Sequence, residues 1–298
     1  MIEAKQLTKK FGTTVALNGI TFTIGNGSVF GLVGSNGAGK STFLRTAAGV
    51  YKPDEGSLLV DGFSPYSHIP TRERLFFISD FPYFPPQASL SDMFSFYQRL
   101  YPGWDRSLCK KLCGLFPLDS RQKIITMSKG MQRQAALICA LSTRPSLLLL
   151  DEIFDGLDPV IRQLLRQLLA DGVAASGMGG VIASHNLREL EDVCDHVGLF
   201  HKGGVVLDQD LDELKLNICR VQAVFPSLPE DAFLGLDIIK KDTLGSLITM
   251  VIRGDRQKTE EKLRALQPIF LETLPLTLEE VFISEMEAAG YDIDNILS

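Results

Sequence analysis

The sequence lacks an uninterrupted apolar stretch of the ~20 residues that a membrane-spanning helix needs. One long uncharged stretch, residues 12–39, contains eight glycines and several threonine, serine and asparagine residues, so it is too polar for such a helix. The leucine run Leu147–Leu150 is far too short. Residues 1–12 also lack the apolar core of a secretion signal. We therefore expect that the chain does not itself cross a membrane.

Paired cysteines and an excess of basic residues are also missing. The five cysteines form an odd, scattered set that no scheme of internal disulfides uses completely, which indicates a reducing compartment. Cys109 and Cys113 lie four residues apart on a predicted helix without a nearby histidine or further cysteine, so we expect small buried side chains there rather than a metal site. The net charge of −6 supplies no basic footprint, and nucleic acid is not expected as a partner.

The 298 residues have the composition of a globular protein of one or two domains, with 45% hydrophobic and 22% charged residues. Strands alternate with helices, which is typical of a parallel α/β core. We predict that this core carries an antiparallel β layer and a helical insertion at about residues 80–142. A first domain over residues 1–208 is predicted to be followed by a small α+β domain over residues 209–298.

The individual elements follow from apolar periodicity and from turn and cap residues. The predicted strands are residues 2–10, 15–24, Ser28–Val33, Ser57–Val60, Ser146–Leu150, Gly179–Ser184, Val197–Phe200, Val205–Leu207, 221–225, 238–241, 246–252 and 269–274. The predicted helices are Lys40–Ala48, Gln132–Leu141, one capped by Asp158 with Pro159 at its first position, Leu187–Cys194, Lys258–Leu266 and Leu278–Ala289. From Leu75 to Leu141 the spacing is helical, with many aromatic residues.

Residues 34–42 fit the phosphate-binding P-loop pattern G-x-x-x-x-G-K-[ST]. Glycines let successive backbone N–H groups point at a phosphate, and the helix that follows adds its positive N-terminal end. Lys40 is suited to neutralise the β- and γ-phosphates, and the Ser41 hydroxyl can ligate Mg²⁺. A chance match has a probability on the order of one per cent in a chain of this length, so the pattern predicts nucleotide binding.

An acidic pair, Asp151 and Glu152, follows the run of four leucines. A buried strand that ends in an acid brings a carboxylate to the edge of a parallel sheet, where the metal of a nucleotide site lies. We predict that Asp151 holds Mg²⁺ or its water and that Glu152 polarises the attacking water as a general base. An acid pair at a strand end is common by itself, and its meaning here depends on the P-loop.

A third segment, Met127–Gln134, opens a predicted helix between the P-loop and the acidic strand. Ser128 and Gly130 at that helix N-terminus can form a second anion cradle. The signal is weak alone, because serine is an ordinary N-cap residue. Its position between the P-loop and the acidic strand is what makes this segment a candidate anion-binding site.

In these motifs the chain resembles the ATP-binding-cassette (ABC) ATPases, over about residues 2–208. The family order is P-loop, signature segment, acidic strand, D-loop (residues 155–158) and switch histidine, here His185. The resemblance implies a RecA-like P-loop NTPase fold and a Mg²⁺-dependent ATPase. The resemblance assigns catalysis to Glu152, His185 and Lys40, and metal binding to Ser41, Asp80 and Asp151. It assigns contacts with ATP to Phe11 (stacked on adenine), Gly34, Ser35, Asn36, Gly37, Ala38, Gly39, Lys40, Ser41, Thr42, Ser128 and Gly130.

The chain also departs from the family pattern. Asp80 falls where the family has the Q-loop glutamine, and Lys129 and Met131 replace the usual glycine and glutamine of the signature. Residues 153–155 read Ile-Phe-Asp instead of the common Pro-Thr-Ser. An acid at position 80 can still approach Mg²⁺ and the catalytic residues are intact, so we expect a working ATPase.

The resemblance also implies partners. In this family two cassettes pair head-to-tail around two ATP molecules, so Ser128 and Gly130 of one subunit would complete the site on Lys40 of the other. A narrower likeness, to bacterial exporter-type cassettes with a separately encoded permease, rests on residues 96–105, the signature and Leu278–Phe282. It implies a protein held at the cytoplasmic face of the membrane by an integral membrane permease. The aromatic residues between Phe76 and Phe116 fit either a permease-binding groove or a helical core.

Two other functions stay open at this point. One is a soluble single-cassette ATPase that acts in macromolecular or cofactor assembly, although the single cassette without a heptad run or basic block disfavours the translation and repair types. The other is a nucleotide sensor with little turnover, against which Glu152 argues. The residues that recognise the transported substrate are expected to lie in the permease.

Overall fold

The computed structural model of the protein describes residues 1–226 and 232–288. Its contacts divide the chain into two compact units, Met1–Asp208 and Gln209–Ser298. The last residue of the helix predicted at Leu278–Ala289 lies outside the described residues.

The first unit combines two β-sheets with seven helices. Its strands are β1 (Ile2–Phe11), β2 (Thr14–Ile24), β3 (Val29–Val33), β4 (Glu55–Val60), β5 (Leu75–Ile78), β6 (Leu147–Asp151), β7 (Gly179–Ser184), β8 (His196–His201) and β9 (Gly204–Asp210). Its helices are α1 (Lys40–Ala47), α2 (Ile69–Arg72), α3 (Leu90–Leu100), α4 (Arg106–Leu115), α5 (Lys129–Ser142), α6 (Pro159–Ser176) and α7 (Leu187–Glu191), with one 3-10 turn at Ile124–Thr126.

The central sheet has the strand order β5-β6-β7-β3-β8-β9. Strands β5, β6, β7, β3 and β8 pair in parallel, and every residue of β3, β6 and β7 is buried. Such continuous burial is expected of a parallel sheet covered on both faces. The register aligns Val33 with Ser184 and Asp151 with Ala183. The three segments that follow β3, β6 and β7 therefore leave the sheet side by side.

A second, antiparallel sheet of order β2-β1-β4 shares one hydrophobic core with the central sheet. Phe22 of β2, Phe43 of α1 and Phe200 of β8 meet there, with ring centroids 5.0–5.8 Å apart. Burial of a phenylalanine side chain contributes about 1.5–3 kcal/mol, so this contact holds α1 firmly against both sheets. The P-loop that precedes α1 is thereby fixed at the sheet edge.

The helical insertion contains α3, α4 and α5, each with a side-chain cap. Ser89 and Asp92 form a capping box on α3, Asp105 caps α4, and Ser128 caps α5 by accepting a hydrogen bond from the Met131 N–H. Such caps stabilise a helix end by about 1 kcal/mol. The Ser128 cap is also the reason why α5 begins three residues before the predicted start at Gln132.

One sequence prediction in this region is wrong. Residues Leu75–Ile78 form the strand β5, whereas the sequence predicts helical spacing from Leu75 onward. The strand pairs with β6, from Leu75 beside Leu147 to Ile78 beside Leu150. A run of four apolar residues fits a buried strand as well as a helix segment, and only the distant partner strand decides between them.

The second unit is an antiparallel sheet with helices. Its elements are α8 (Leu211–Leu216), β10 (Ile218–Val224), β11 (Asp237–Leu244), β12 (Leu247–Arg253), α9 (Arg256–Ala265), β13 (Phe270–Leu274) and α10 (Leu278–Ala288), and the strand order is β11-β12-β10-β13. Val221, Met250 and Leu263 are fully buried in its core. Each predicted strand and helix of this region is present within a few residues of its predicted bounds. Among the residues of this unit that the structure describes, the short α8 is an element that the sequence analysis did not predict.

The predicted fold class is confirmed, with a parallel α/β core, an antiparallel β layer, a helical insertion and a small α+β region at the C-terminal side. Among the described residues, no helix combines the length and the apolar character that a crossing of the bilayer needs.

Candidate active site

The P-loop lies against a cavity of about 400 Å³ at the carboxyl edge of the central sheet. Its described lining residues are Thr14, Val15, Ala16, Asn36, Gly37, Ala38, Gly39, Lys40, Ser41, Thr42, Asp80 and Glu152. Gly39 has a φ of +110°, and a Cβ at this position would lie 2.6 Å from the carbonyl oxygen of Ala16. Both the backbone angle and the close approach require glycine here. The loop is therefore shaped by its glycines, as the P-loop pattern predicts.

Lys40 lies at the start of α1 and is almost completely buried. Its Nζ donates hydrogen bonds to the carbonyl oxygens of Gly34 (2.5 Å) and Ser35 (3.2 Å) and lies 3.8 Å from Glu152 Oε1. Burial lowers the pKa of Lys40, and the negative charges of Glu152 and Asp151 oppose that shift. A phosphate placed here would meet a preoriented ammonium group and the positive end of α1.

Ser41 and Asp151 come together although 110 residues separate them in the sequence. The Ser41 hydroxyl donates to Asp151 Oδ1 at 2.9 Å, and Asp151 Oδ2 is buried without a hydrogen-bond partner among the described residues. Burial raises the pKa of Asp151 to about 6, while the Ser41 hydrogen bond lowers it. Hard divalent cations bind hydroxyl and carboxylate oxygens, and a cation would satisfy the unpartnered oxygen. These residues therefore fit a Mg²⁺ ion.

Glu152 and His185 form the second pair of the site. His185 Nδ1 lies 2.9 Å from Glu152 Oε2, and the His185 backbone N–H donates to the same oxygen at 3.3 Å. Glu152 has a left-handed φ of +48°, and its N–H donates to the carbonyl oxygen of Ala183 at 2.9 Å. This hydrogen bond to β7 holds a backbone conformation that non-glycine residues rarely adopt. A side chain of Asp155 lies close by, with ligand atoms of all three residues within 4.8 Å of one another.

Asp80 reaches the cavity, where it lies near the acid of β6. Its Oδ1 is 3.5 Å from Arg45 of α1, and its charge helps to raise the pKa of Asp151, after the larger effect of burial. Its backbone carbonyl accepts a hydrogen bond from Arg133 at 3.0 Å. The structure thus brings Asp80 together with Lys40 and Glu152, and its part in metal binding stays a prediction.

Seven predicted site residues are not part of the described lining of this cavity: Phe11, Gly34, Ser35, Ser128, Gly130, Asp151 and His185. Four of them contact a lining residue directly, because Gly34 and Ser35 accept hydrogen bonds from Lys40, Asp151 accepts one from Ser41, and His185 lies against Glu152. No such side-chain contact joins Phe11, Ser128 or Gly130 to the lining among the described hydrogen bonds.

Phe11 is 42% exposed at the end of β1, with its ring edge-on to Tyr51 at 5.2 Å. Ser128 is exposed at the start of α5. Residues 14–16 do line the cavity without having been predicted. They are small and apolar or hydroxylated, and nothing in their sequence marks them as nucleotide contacts.

Gly130 has a packing role that can be tested. A Cβ on Gly130 would lie 2.4 Å from the carbonyl oxygen of Gly156, which belongs to the loop after Glu152. Gly130→Ala is therefore expected to lower the free energy of unfolding by about 1–3 kcal/mol, measured by urea denaturation. The control is Gly114→Ala in α4, where a Cβ meets nothing within 4 Å. That substitution should raise the stability by about 0.5–1 kcal/mol, and equal effects of both would contradict the packing argument.

Comparison with known proteins gives the family. The family model described as ABC transporter matches residues 17–155. The ABC transporter ATP-binding protein YtrB of Bacillus subtilis is 32% identical over 291 residues, which is 96% of this chain and 98% of the relative. The chain belongs to the ABC transporter ATP-binding proteins.

Other similar proteins support the assignment of this chain to the ABC transporter ATP-binding proteins. The lantibiotic transport ATP-binding protein SrtF of Streptococcus pyogenes is 30% identical and covers 71% of this chain and 92% of its own. A solved structure of the ATP binding subunit of an ABC transporter superposes with a TM-score of 0.66 at 26% identity, over 72% of this chain and 92% of the other. The resemblance to the ABC ATPases that the motifs indicated is confirmed. The function predicted from it, that of an ATP-hydrolysing subunit of a transporter, is supported as well. The alternative, a single-cassette ATPase that acts in macromolecular or cofactor assembly, is not favoured.

Proposed function

We propose that this ABC subunit hydrolyses Mg²⁺-ATP at the cavity beside the P-loop and that a head-to-tail dimer of it powers export through a separate membrane permease. The observation that carries the proposal is the pair Glu152–His185, hydrogen-bonded at 2.9 Å next to Lys40 and next to the Ser41–Asp151 contact. A water-activating carboxylate, a phosphate-binding cation and metal-binding oxygens are the parts that phosphoryl transfer requires.

Each side chain has a distinct part in this proposal. Lys40 neutralises the β- and γ-phosphates, and Glu152 accepts a proton from the attacking water as it approaches the γ-phosphate. His185 orients Glu152 through Nδ1. His185 would also sense the γ-phosphate. Ser41 and Asp151 would hold the Mg²⁺ ion, which supplies charge neutralisation of the phosphate oxygens when bound. Asp80 is a further candidate metal-site residue.

The dimer would supply the residues that the cavity lacks. Ser128 is exposed and Gly130 half-buried at the N-terminus of α5, and neither lines the cavity of its own chain. In a head-to-tail pair they would contact the nucleotide on the partner's P-loop, with Phe11 against the adenine ring. Because ATP binds the closed pair more tightly than the monomer in this scheme, ATP binding and dimerisation stabilise each other.

Exposed aromatic residues support a permease contact on the helical insertion. Phe81, Tyr83 and Phe96 are 68%, 81% and 52% exposed. By contrast, Phe76 packs against Tyr97 at 5.2 Å and belongs to the core. Exposed aromatic anchors are typical of interaction surfaces. Since a relative from Sinorhizobium fredii is named for Nod factor export, we propose export as the direction of transport. We also propose the cytoplasmic face of the membrane as the location.

The proposal predicts a stable complex with a membrane protein. Tagged protein purified from detergent-solubilised native membranes is expected to bring down a polytopic permease, identified by mass spectrometry. Tyr83→Ala should reduce this recovery several-fold, because it removes an exposed anchor. Tyr66→Ala, a tyrosine 46% exposed elsewhere in the first unit, serves as the matched control. Recovery of soluble partners alone would contradict the transporter function and favour an assembly ATPase.

A further inference from the structure

Arg133 is a buried guanidinium group that joins two loops of the candidate active site. It lies on α5, five residues after the Ser128 cap, and is 7% exposed. Its Nη1 donates to the backbone carbonyl of Asp155, and its Nη2 donates to the backbone carbonyl of Asp80 at 3.0 Å. The helix α5, which begins in the signature segment, is called the signature helix below. One of its side chains thus holds the segment after β5 and the segment after β6 together.

Arginine is suited to this position by its shape. A guanidinium is planar and presents five N–H donors in a rigid fork, so its two ends can bind carbonyl groups of different segments at once. A buried cation is costly unless its donors are satisfied, so the side chain favours the arrangement in which both carbonyls are in reach. Lysine carries the same charge on a single nitrogen and cannot span the two carbonyls in the same way.

Both segments carry acids of the nucleotide cavity. The side chains of Asp80 and Glu152 line that cavity. The turn that begins at Glu152 is closed by the Asp155 N–H, which donates to the Glu152 carbonyl at 3.3 Å. The N-terminal end of α5 also packs directly on this turn, because Gly130 meets the carbonyl of Gly156. Both acid-bearing segments are therefore in direct contact with α5.

We propose that Arg133 is a positioning residue that couples the signature helix of one subunit to Asp80 and Glu152 of the same subunit. This inference rests on the proposed head-to-tail dimer, in which Ser128 on α5 contacts the partner's nucleotide. ATP bound to the partner then sets the position of α5, and Arg133 carries that position to the acids that act on the subunit's own ATP. The two sites hydrolyse ATP cooperatively as a result.

The test compares Arg133→Lys and Arg133→Met with the full-length wild-type protein. We expect wild-type hydrolysis to rise with ATP concentration with a Hill coefficient above 1. In both variants kcat should fall about 10- to 100-fold, which is the effect of losing hydrogen bonds from a charged donor. The Hill coefficient should fall to about 1, while the Kd of a fluorescent ATP analogue, measured at protein concentrations where the wild type is monomeric, stays within about threefold.

The control is Arg144→Lys, which removes an arginine of an exposed ion pair with Asp105 just after α5. It should leave kcat and the Hill coefficient unchanged. Wild-type kcat and cooperativity in Arg133→Lys would overturn the inference. Loss of nucleotide binding together with a lowered unfolding temperature would overturn it too, because Arg133 would then be a general stability residue. A wild-type protein without ATPase activity would instead overturn the proposed function itself.

Discussion

Lys40→Ala is expected to weaken ATP binding strongly and to abolish measurable ATP hydrolysis. The Lys40 ammonium is buried beside the P-loop carbonyls and Glu152, and its removal leaves the β- and γ-phosphates without their compensating cation. A lost hydrogen bond to a charged group costs about 1.5–3 kcal/mol, which weakens ATP binding about 10- to 150-fold before any effect on the chemical step. Isothermal titration calorimetry with ATP measures the binding, and phosphate release measures the turnover.

The control for this variant is Lys110→Ala. Lys110 is an exposed lysine of α4, so the same change of charge and side chain occurs outside the cavity. Its ATP affinity and turnover should equal those of the wild type. Wild-type ATP affinity in Lys40→Ala would show that the nucleotide does not bind at the P-loop.

Glu152→Gln is expected to separate ATP binding from hydrolysis. The amide keeps the shape of the carboxylate but cannot accept the proton of the attacking water, and general-base catalysis contributes about 10²- to 10⁴-fold to a rate. kcat should fall by that factor, while the affinity for ATP is retained. Because hydrolysis reopens the dimer, the variant should accumulate as an ATP-bound dimer, which size-exclusion chromatography with light scattering detects.

Glu73→Gln supplies the matched control, because Glu73 is exposed next to α2 and lies outside the cavity lining. This variant should hydrolyse ATP at the wild-type rate and dimerise only transiently. If Glu152→Gln hydrolysed ATP as fast as the wild type, another group would be the base. If it stayed monomeric with ATP, the proposed dimer would be contradicted while the role of Glu152 stood.

Much of the fold was predictable because its signals are local. The strand Gly179–Ser184 was predicted with its observed bounds, and Asp158 caps α6 with Pro159 at its first position, as the sequence indicates. A cap, a proline and a β-branched apolar run act through neighbouring residues, so each is readable from a short window. The strand Leu75–Ile78 was missed because its identity depends on β6, a remote partner.

The candidate site likewise contains residues that a local sequence pattern identifies and residues that only the structure identifies. The P-loop pattern contains Lys40 and Ser41 within nine residues, so the sequence identifies them directly. No pattern marks Arg133 as a link between Asp80 and Asp155, since a guanidinium that binds backbone carbonyls selects positions in space rather than residue types. The same holds for residues 14–16, whose contact with the cavity comes from the position of the β1–β2 turn.

The sequence by itself determined the family, the order of the motifs and the residue types that can carry phosphoryl transfer. Only the tertiary structure decided that Ser41 meets Asp151 across 110 residues, that His185 contacts Glu152, and that Arg133 joins two acid-bearing loops. The physical reason is that motifs record local chemistry, whereas the parallel pairing of β6, β7 and β3 brings remote strand ends to one edge. Distances between those ends depend on register and packing, which no single segment encodes.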